Sequence, residues 1–531
     1  MESRKQSFVK GAAILAAAGV ITKILGAIYR IPIGNIISSE GMGYYQTAYD
    51  VYAWALILSA YAIPTAISKL TSEKYEIGRA DEAHRIFRVA LVLMLVLGLV
   101  MSVIMMVYSE FFAILFNNPG ASLAILYVAP SIFLFSISGA FRGYFQGMQN
   151  MTPSAISQIG EQLGRVVFGF ILAIVFIPMG YKAAAGGTII GTTIGGLFSV
   201  LILIYVYFKN RHRIKIDADS TGGHRESSLA ILKHIVAFSI PIAIGGSIIP
   251  IMSLLDSLIV MDRLQAAGYI YEDAVSLLGQ LKGMAGSFIN LPQVLTVSLA
   301  ASLVPAISES LARRDFESIK KKSELGIRLS IIIGFPSAMG LTILAKPIML
   351  LMFPKEAESL GLALMYLAPS VVFLTLFQAL TAILQGMGKV RIPLINLAVC
   401  AIAKIFATYY LTSIPGLNIR GAAIGTVVGY AIACILNMLV ILNTIKGMNF
   451  NRMFVKPFIA TTAMSITAYF AYSLVFNAIG RNSIATLASM FIAAAVYGIV
   501  LIAIKGITIE ELQLAPGGNK LSRMLRRKGI K

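Results

Sequence analysis

Apolar residues in this chain do not alternate with polar ones. They run unbroken for about twenty residues at a time, separated by short polar connectors. A hydrocarbon core ~30 Å thick is crossed by ~20 helical residues, and only helices and closed barrels satisfy their backbone groups inside it. The pattern therefore predicts an all-α polytopic membrane protein of about 14 transmembrane helices. Apolar windows of ~20 residues place the spans near 9–36, 44–68, 88–109, 120–146, 153–178, 183–208, 232–261, 277–308, 325–345, 360–386, 392–413, 421–444, 454–477 and 483–504.

One stretch occurs twice. Tyr127–Pro153 recurs as Tyr366–Pro393. Tyr127, Ala129, Pro130 and Ser131 match Tyr366, Ala368, Pro369 and Ser370, and Gln146-Gly147-Met148 matches Gln385-Gly386-Met387, all at an offset of 239 residues. Residues 183–191 echo 421–429, and 62–68 echo 303–308. A repeat of six spans, an even number, predicts two parallel lobes. The expected organisation is an N-lobe over 1–208 (helices 1–6), a cytoplasmic linker over 209–230 and a C-lobe over 231–445 (helices 7–12). Two added helices over 446–506 and a basic cytoplasmic tail over 507–531 complete it.

Composition agrees with the pattern: 57% apolar and only 13% charged, against about 25% charged in soluble domains. The basic residues orient the chain. With the N-terminus inside, 32 of the 44 lysines and arginines fall on cytoplasmic segments and six on external connectors, as the positive-inside rule requires. Both termini are expected in the cytoplasm. The net charge of +20 then reflects connectors facing anionic membrane lipids, and no nucleic-acid partner is implied. MESRKQSFVK and the apolar run after it read as an uncleaved first span. Cys400 and Cys434 sit in apolar runs and read as small core residues. No cofactor or metal motif is evident. The glycines of GGTIIGTTIGG recur every four residues (Gly187, Gly191, Gly195), as do Gly421, Gly425 and Gly429. This spacing predicts small-residue helix packing rather than a nucleotide loop.

Six cations remain inside spans: Lys23, Arg30, Arg142, Arg165, Lys282 and Lys404. Only three acids accompany them: Asp50, Glu161 and Asp256. A charge at mid-bilayer costs at least ~2.5 kcal/mol, so it faces a cavity or a partner. The excess of cations points to an anion. Lys23 and Arg30 are seven residues apart, on one helix face. Lys404 stands where the other copy has Arg165 but lacks an acid four residues before it. These three, with Lys282 as a fourth, are the candidate anion-binding residues; Lys282 near the outer end of its span also reads as interfacial. Arg165 is explained by an ion pair with Glu161 at i−4. Asp256 and Asp50 are candidates for ion coupling or charge pairing. Arg142, one turn from the cytoplasmic end of its span, reads as snorkelling to the headgroups; with Gln146 and Gln385 it marks the cytoplasmic turns as gates. Its counterpart in the second copy is Thr381.

The stretches 21–46, 63–73, 142–165 and 291–315 resemble the polysaccharide-transport branch of the MOP superfamily, and within it the MurJ-like, stage V sporulation protein B and YtgP-type proteins. The resemblance implies two six-helix lobes in a V around a central cavity that opens alternately to each side. It further implies an undecaprenyl-pyrophosphate-linked saccharide as substrate, with lipid II foremost, cell-wall synthesis proteins as partners and residence in the bacterial cell membrane. It implies a pyrophosphate held by cavity cations and a lipid tail beside the last two helices. MurJ proteins carry an Arg-Asp pair where this chain has Tyr29-Arg30, and Lys282 matches their span 8 cation loosely. The expectation is a non-enzymatic flippase. The alternatives are a cation-coupled multidrug exporter of the same superfamily, which needs more cavity acids, and a membrane scaffold for envelope synthesis.

Overall fold

The computed structural model describes residues 8–57, 61–209 and 226–506; the basic tail and most of the linker lie outside this range. Every described element is helical. In chain order the α-helices are α1 (Phe8–Leu56), α2 (Ala62–Glu76), α3 (Ala80–Val107), α4 (Ser109–Leu115), α5 (Ser122–Gly147), α6 (Thr152–Phe176), α7 (Tyr181–Lys209), α8 (Ser228–Ala266) and α9 (Tyr271–Leu278). A π-helical segment, Gly279–Ala285, leads into α10 (Gly286–Ala312). Then follow α11 (Phe316–Ile343), α12 (Ala345–Met352), α13 (Ala357–Leu367), α14 (Ser370–Gly386), α15 (Arg391–Thr412), α16 (Ile419–Thr444), α17 (Lys456–Ile479) and α18 (Asn482–Ala503).

Thirteen of these stretches are long and apolar enough to cross a membrane. One of them, Ala13–Leu56, has 44 residues. At 1.5 Å per residue it is about 66 Å long, twice a bilayer core. It is interrupted at Ser38, whose φ of 61° and ψ of 176° are not helical. The stretch therefore holds the first span and the beginning of the second, which accounts for the fourteen expected. Exposed apolar side chains such as Val107, Leu474 and Phe491 are those a membrane protein presents to lipid.

The described residues of Met1–Leu291 and Ile405–Ala422 form one compact unit; those of Pro292–Lys404 and Ala423–Lys531 form a second. In the first, the glycine stripe packs as its spacing predicts. A Cβ on Gly191 would lie 2.6 Å from the Gly169 Cα, and one on Gly164 would lie 2.9 Å from the Gly195 Cα. At one end a core of Ile67, Phe87, Phe141, Tyr144, Leu203 and Ile235 closes α2, α3, α5, α7 and α8 together. The second unit has a matching core of Ile307, Ile331, Leu380, Ile383 and Ile441. There Tyr497 donates to the Ile332 carbonyl at 2.8 Å and Asn482 to that of Pro347 at 3.1 Å, fixing α18 beside α11 and α12.

The two repeated turns fold alike. Met148–Asn150 and Met387–Lys389 each end a helix through a left-handed residue, Gln149 (φ 56°) and Gly388 (φ 78°). In both, the next amide returns to a carbonyl of the last turn: Asn150 to Phe145 and Lys389 to Leu384, each at 2.9 Å. The repeated glycine has a steric cause. A Cβ on Gly147 would lie 2.7 Å from the Ser68 carbonyl oxygen, and one on Gly386 would lie 3.0 Å from that of Val304.

Candidate functional site

Three in-span charges meet in the first unit. Arg30 lies on α1 before the break at Ser38, Asp50 lies after it, and Lys282 lies in the π-helical segment. Glycines permit the approach: Gly43 on α1 packs against the Val275 backbone and Gly279 against Ser39 and Gly43. Lys282 Nζ reaches the Asp50 carboxylate at 2.5 Å, with side-chain exposures of 11% and 4%. The same ammonium donates to the Ser257 hydroxyl at 2.7 Å and to the Ser253 carbonyl at 2.8 Å. Asp50 also accepts from Ser257 at 2.7 Å, Gln46 at 2.9 Å and Ser253 at 3.1 Å. A buried ion pair is tolerated when surrounding hydrogen bonds satisfy both partners, and here α8 supplies them. Lys282 is thus a largely buried residue held by α1 and α8.

Arg30 Nη1 donates to the carbonyls of Gly283 at 3.2 Å and Lys282 at 3.5 Å. Those carbonyls belong to the π-helical segment, a geometry that recurs at functional sites. Two cations and one carboxylate leave this cluster with a formal charge of +1. Farther along α1, Asn118 donates to the Thr47 hydroxyl at 2.8 Å and accepts from Tyr271 at 2.7 Å.

A second cluster in the same unit joins α5, α6 and α7. Arg142 Nη2 donates to Glu161 at 2.8 Å and to the Ser199 hydroxyl at 2.8 Å, and its Nε donates to Ser157 at 3.0 Å. Arg165 reaches the other Glu161 oxygen at 3.5 Å. The Arg165–Glu161 pair follows the i,i+4 expectation. Arg142 departs from the snorkelling expectation: Glu161 and two hydroxyls hold it inside the helix bundle. This cluster also carries a formal +1.

The remaining candidates lie on several helices. Lys23 is exposed on α1. Asp256 is buried and accepts a long 3.5 Å bond from Thr408. In the second unit Lys404 is 6% exposed, and a Cβ on Gly429 would lie 2.8 Å from its own Cβ. Gln146 donates to Ser154 at 3.3 Å, while Gln385 is exposed. The structure adds Ser253, Ser257, Ser157 and Ser199, which the sequence reading passed over. Their only signal was a hydroxyl one or more helical turns from a charge inside an apolar run, and serines pack unremarked in many membrane helices. Arg328 is 4% exposed within α11.

A bundle of membrane helices whose spans carry more cations than acids, held by carboxylates, hydroxyls and backbone carbonyls, fits a polytopic membrane transporter. The chain belongs to the polysaccharide biosynthesis protein family, whose model matches residues 8–311; a MatE model matches residues 280–410. It is 28% identical over 516 residues to Stage V sporulation protein B of Bacillus subtilis (strain 168), covering 96% of this chain and 98% of that protein. It is 23% identical to Lipid II flippase MurJ of the same organism, covering 80% of each. Among solved structures, it superposes on Lipid II flippase MurJ in an inward closed conformation with a TM-score of 0.68 at 16% identity, over 93% of this chain and 98% of that one. An inward-facing multidrug resistance MATE family transporter of the MOP superfamily gives 0.67 at 16% identity, over 80% and 94%. The fold is that of the MOP superfamily.

Proposed function

We propose that this chain is a flippase that carries a polyprenyl-pyrophosphate-linked saccharide, with lipid II as the leading substrate, from the inner to the outer leaflet. The observation that carries the reading is the pair of clusters in the first unit, each with two cations against one carboxylate. A residual positive charge in low dielectric attracts a pyrophosphate strongly. It gives a cationic drug no such reception, which sets the multidrug exporter second even though a MatE model covers residues 280–410. The relatives named as a lipid II flippase and a sporulation protein support the choice of a cell-envelope glycan.

In the proposed cycle Lys23, Arg30 and Lys404 neutralise the pyrophosphate arriving from the cytoplasmic side, and Lys282 contributes when Asp50 shares it. The halves then exchange access and release the headgroup outside. An interior-negative potential draws the emptied cationic site back inward, at ~2.3 kcal/mol per charge per 100 mV. The proposed location is the bacterial cell membrane with both termini cytoplasmic. The test is rescue of a MurJ-depleted bacterium, with lipid II accessibility at the outer face as readout. Rescue with restored accessibility is expected; a chain that is expressed and folded but leaves lipid II inaccessible removes the lipid II assignment.

A further inference from the structure

The cluster on α5–α7 contains more than charge pairing requires. Arg142 makes three hydrogen bonds, to Glu161, Ser199 and Ser157 at 2.8, 2.8 and 3.0 Å. For Arg165 the contact with Glu161 is long, 3.5 Å, and its Nε is buried without a hydrogen-bond partner. An unsatisfied donor on a buried guanidinium is costly, and a planar guanidinium is built for two-point recognition of carboxylates and phosphates. One carboxylate therefore serves two arginines and satisfies one well. The Arg142, Glu161 and Arg165 side chains keep 15–16% of their surface accessible.

The neighbouring groups extend this. On α1, Tyr45 stacks on Tyr49 with centroids 6.1 Å apart, Tyr49 tilts onto Tyr52 at 5.7 Å, and Tyr52 onto Phe135 at 6.0 Å. The Tyr29 hydroxyl, on the same helix, is buried without a partner and lies against Gly169, one turn beyond Arg165 on α6. A second idle hydroxyl donor thus stands along the helix that carries the idle guanidinium donor.

We infer that Glu161 is a resident counter-anion that a substrate pyrophosphate displaces, so that Arg142, Arg165, Ser157 and Ser199 form a second anion site within the first unit. This rests on the proposed pyrophosphate-linked substrate. A pyrophosphate offers more acceptor oxygens than a carboxylate and satisfies both guanidinium groups at once. With Glu161 in place the site releases an anion readily; without it the same arginines hold one tightly.

The test is calorimetric binding to the full chain in nanodiscs, with inorganic pyrophosphate in one arm and farnesyl pyrophosphate in the other, at fixed ionic strength. Glu161→Gln is expected to bind about tenfold tighter than wild type. Glu161→Gln combined with Arg142→Thr should fall back to the wild-type affinity or below it. A gain towards both probes identifies the pyrophosphate itself as the ligand; a gain towards farnesyl pyrophosphate alone identifies the lipid-borne group. Equal affinities of wild type and Glu161→Gln towards both probes overturn the inference. If Glu161→Gln unfolds easily because two arginines lose their anion, pyrophosphate should raise its melting temperature more than that of wild type, and an equal rise overturns it as well. Binding reads no transport, so the two claims fail separately. A gain in affinity with no rescue of MurJ depletion removes the substrate assignment, and rescue without the gain removes the counter-anion.

Discussion

The α5–α7 cluster and its repeat partner on α14–α16 share a framework and differ in charge. Adding 239, 239 and 238 to Arg142, Ser157 and Ser199 gives Thr381, Asn396 and Asn437. The latter three are also linked: Asn396 donates to Asn437 at 2.8 Å and Asn437 reaches Thr381 at a long 3.5 Å. Glu161 and Arg165 become Cys400 and Lys404. The helices therefore meet at the same residues in both halves. One half fills the junction with an arginine–glutamate–arginine group and the other with a neutral amide network plus a single lysine. Duplication preserved the packing problem, because backbone spacing leaves no choice, while the side chains at the junction were free to specialise.

The largest effect concerns the buried ion pair of the first unit. Asp50→Ala leaves the Lys282 ammonium without its carboxylate, and breaking such a pair costs about 3–5 kcal/mol. A lower melting temperature in detergent and loss of MurJ-depletion rescue are expected. Asp50→Ala with Lys282→Met should recover much of the stability but not the activity.

Next in size is the interchange of the two junctions. Arg142→Thr gives the first half the neutral character of the second. It removes three hydrogen bonds, one of them to a carboxylate, for a loss of about 2–3 kcal/mol. The reverse change, Cys400→Glu, gives Lys404 an acid at i−4; because Cys400 is fully buried, the larger side chain should cost about 1–3 kcal/mol while reducing transport. Transport unaffected by Cys400→Glu would show that the charge of Lys404 is not used.

The turns offer a smaller test. The left-handed position is glycine in the second copy (Gly388) and glutamine in the first (Gln149). Gln149→Gly should stabilise the first half by up to about 1 kcal/mol. The gain is offset in part by loss of the 3.0 Å bond from Gln149 to Glu76.

The smallest effect is where Lys74 joins Glu226 at 2.7 Å and Glu82 at 2.9 Å, tying the start of α8 to α2 and α3. The hydrogen bond from Lys74 lowers the Glu226 pKa below its ordinary 4.5, and the bond to Glu226 raises Lys74 above 10.5. The carboxylate's contribution is complete above pH 4.5 and fades as pH falls through its lowered pKa. The ammonium's is complete below 10.5 and fades as pH rises through its raised one. Between about pH 5 and 9, hydrogen exchange at residues 228–234 should not change through this pair, beyond the intrinsic pH dependence of exchange. Glu226 is partly exposed, so removing it costs little.

The helices and the repeat were legible from sequence because length and hydropathy alone decide where a chain crosses a membrane. The Arg165–Glu161 pair was legible because i,i+4 neighbours share a helix face. The break at Ser38 was legible too: it falls in the short connector between the spans placed at 9–36 and 44–68. The partners of Lys282 and Arg142 were not legible because they lie 232 and 19 residues away, and no local pattern carries a contact between helices. The π-helical carbonyls that hold Arg30 were invisible because backbone geometry leaves no residue type as its mark.

The central claim is that buried cations neutralise a lipid-borne pyrophosphate. Its most direct test is lipid II accessibility at the outer face of MurJ-depleted cells carrying wild type, Arg30→Ala, Lys404→Ala or the double variant, with membrane levels matched. Accessibility should be normal with wild type, reduced in each single variant and lost in the double. Full accessibility in the double variant would contradict the account.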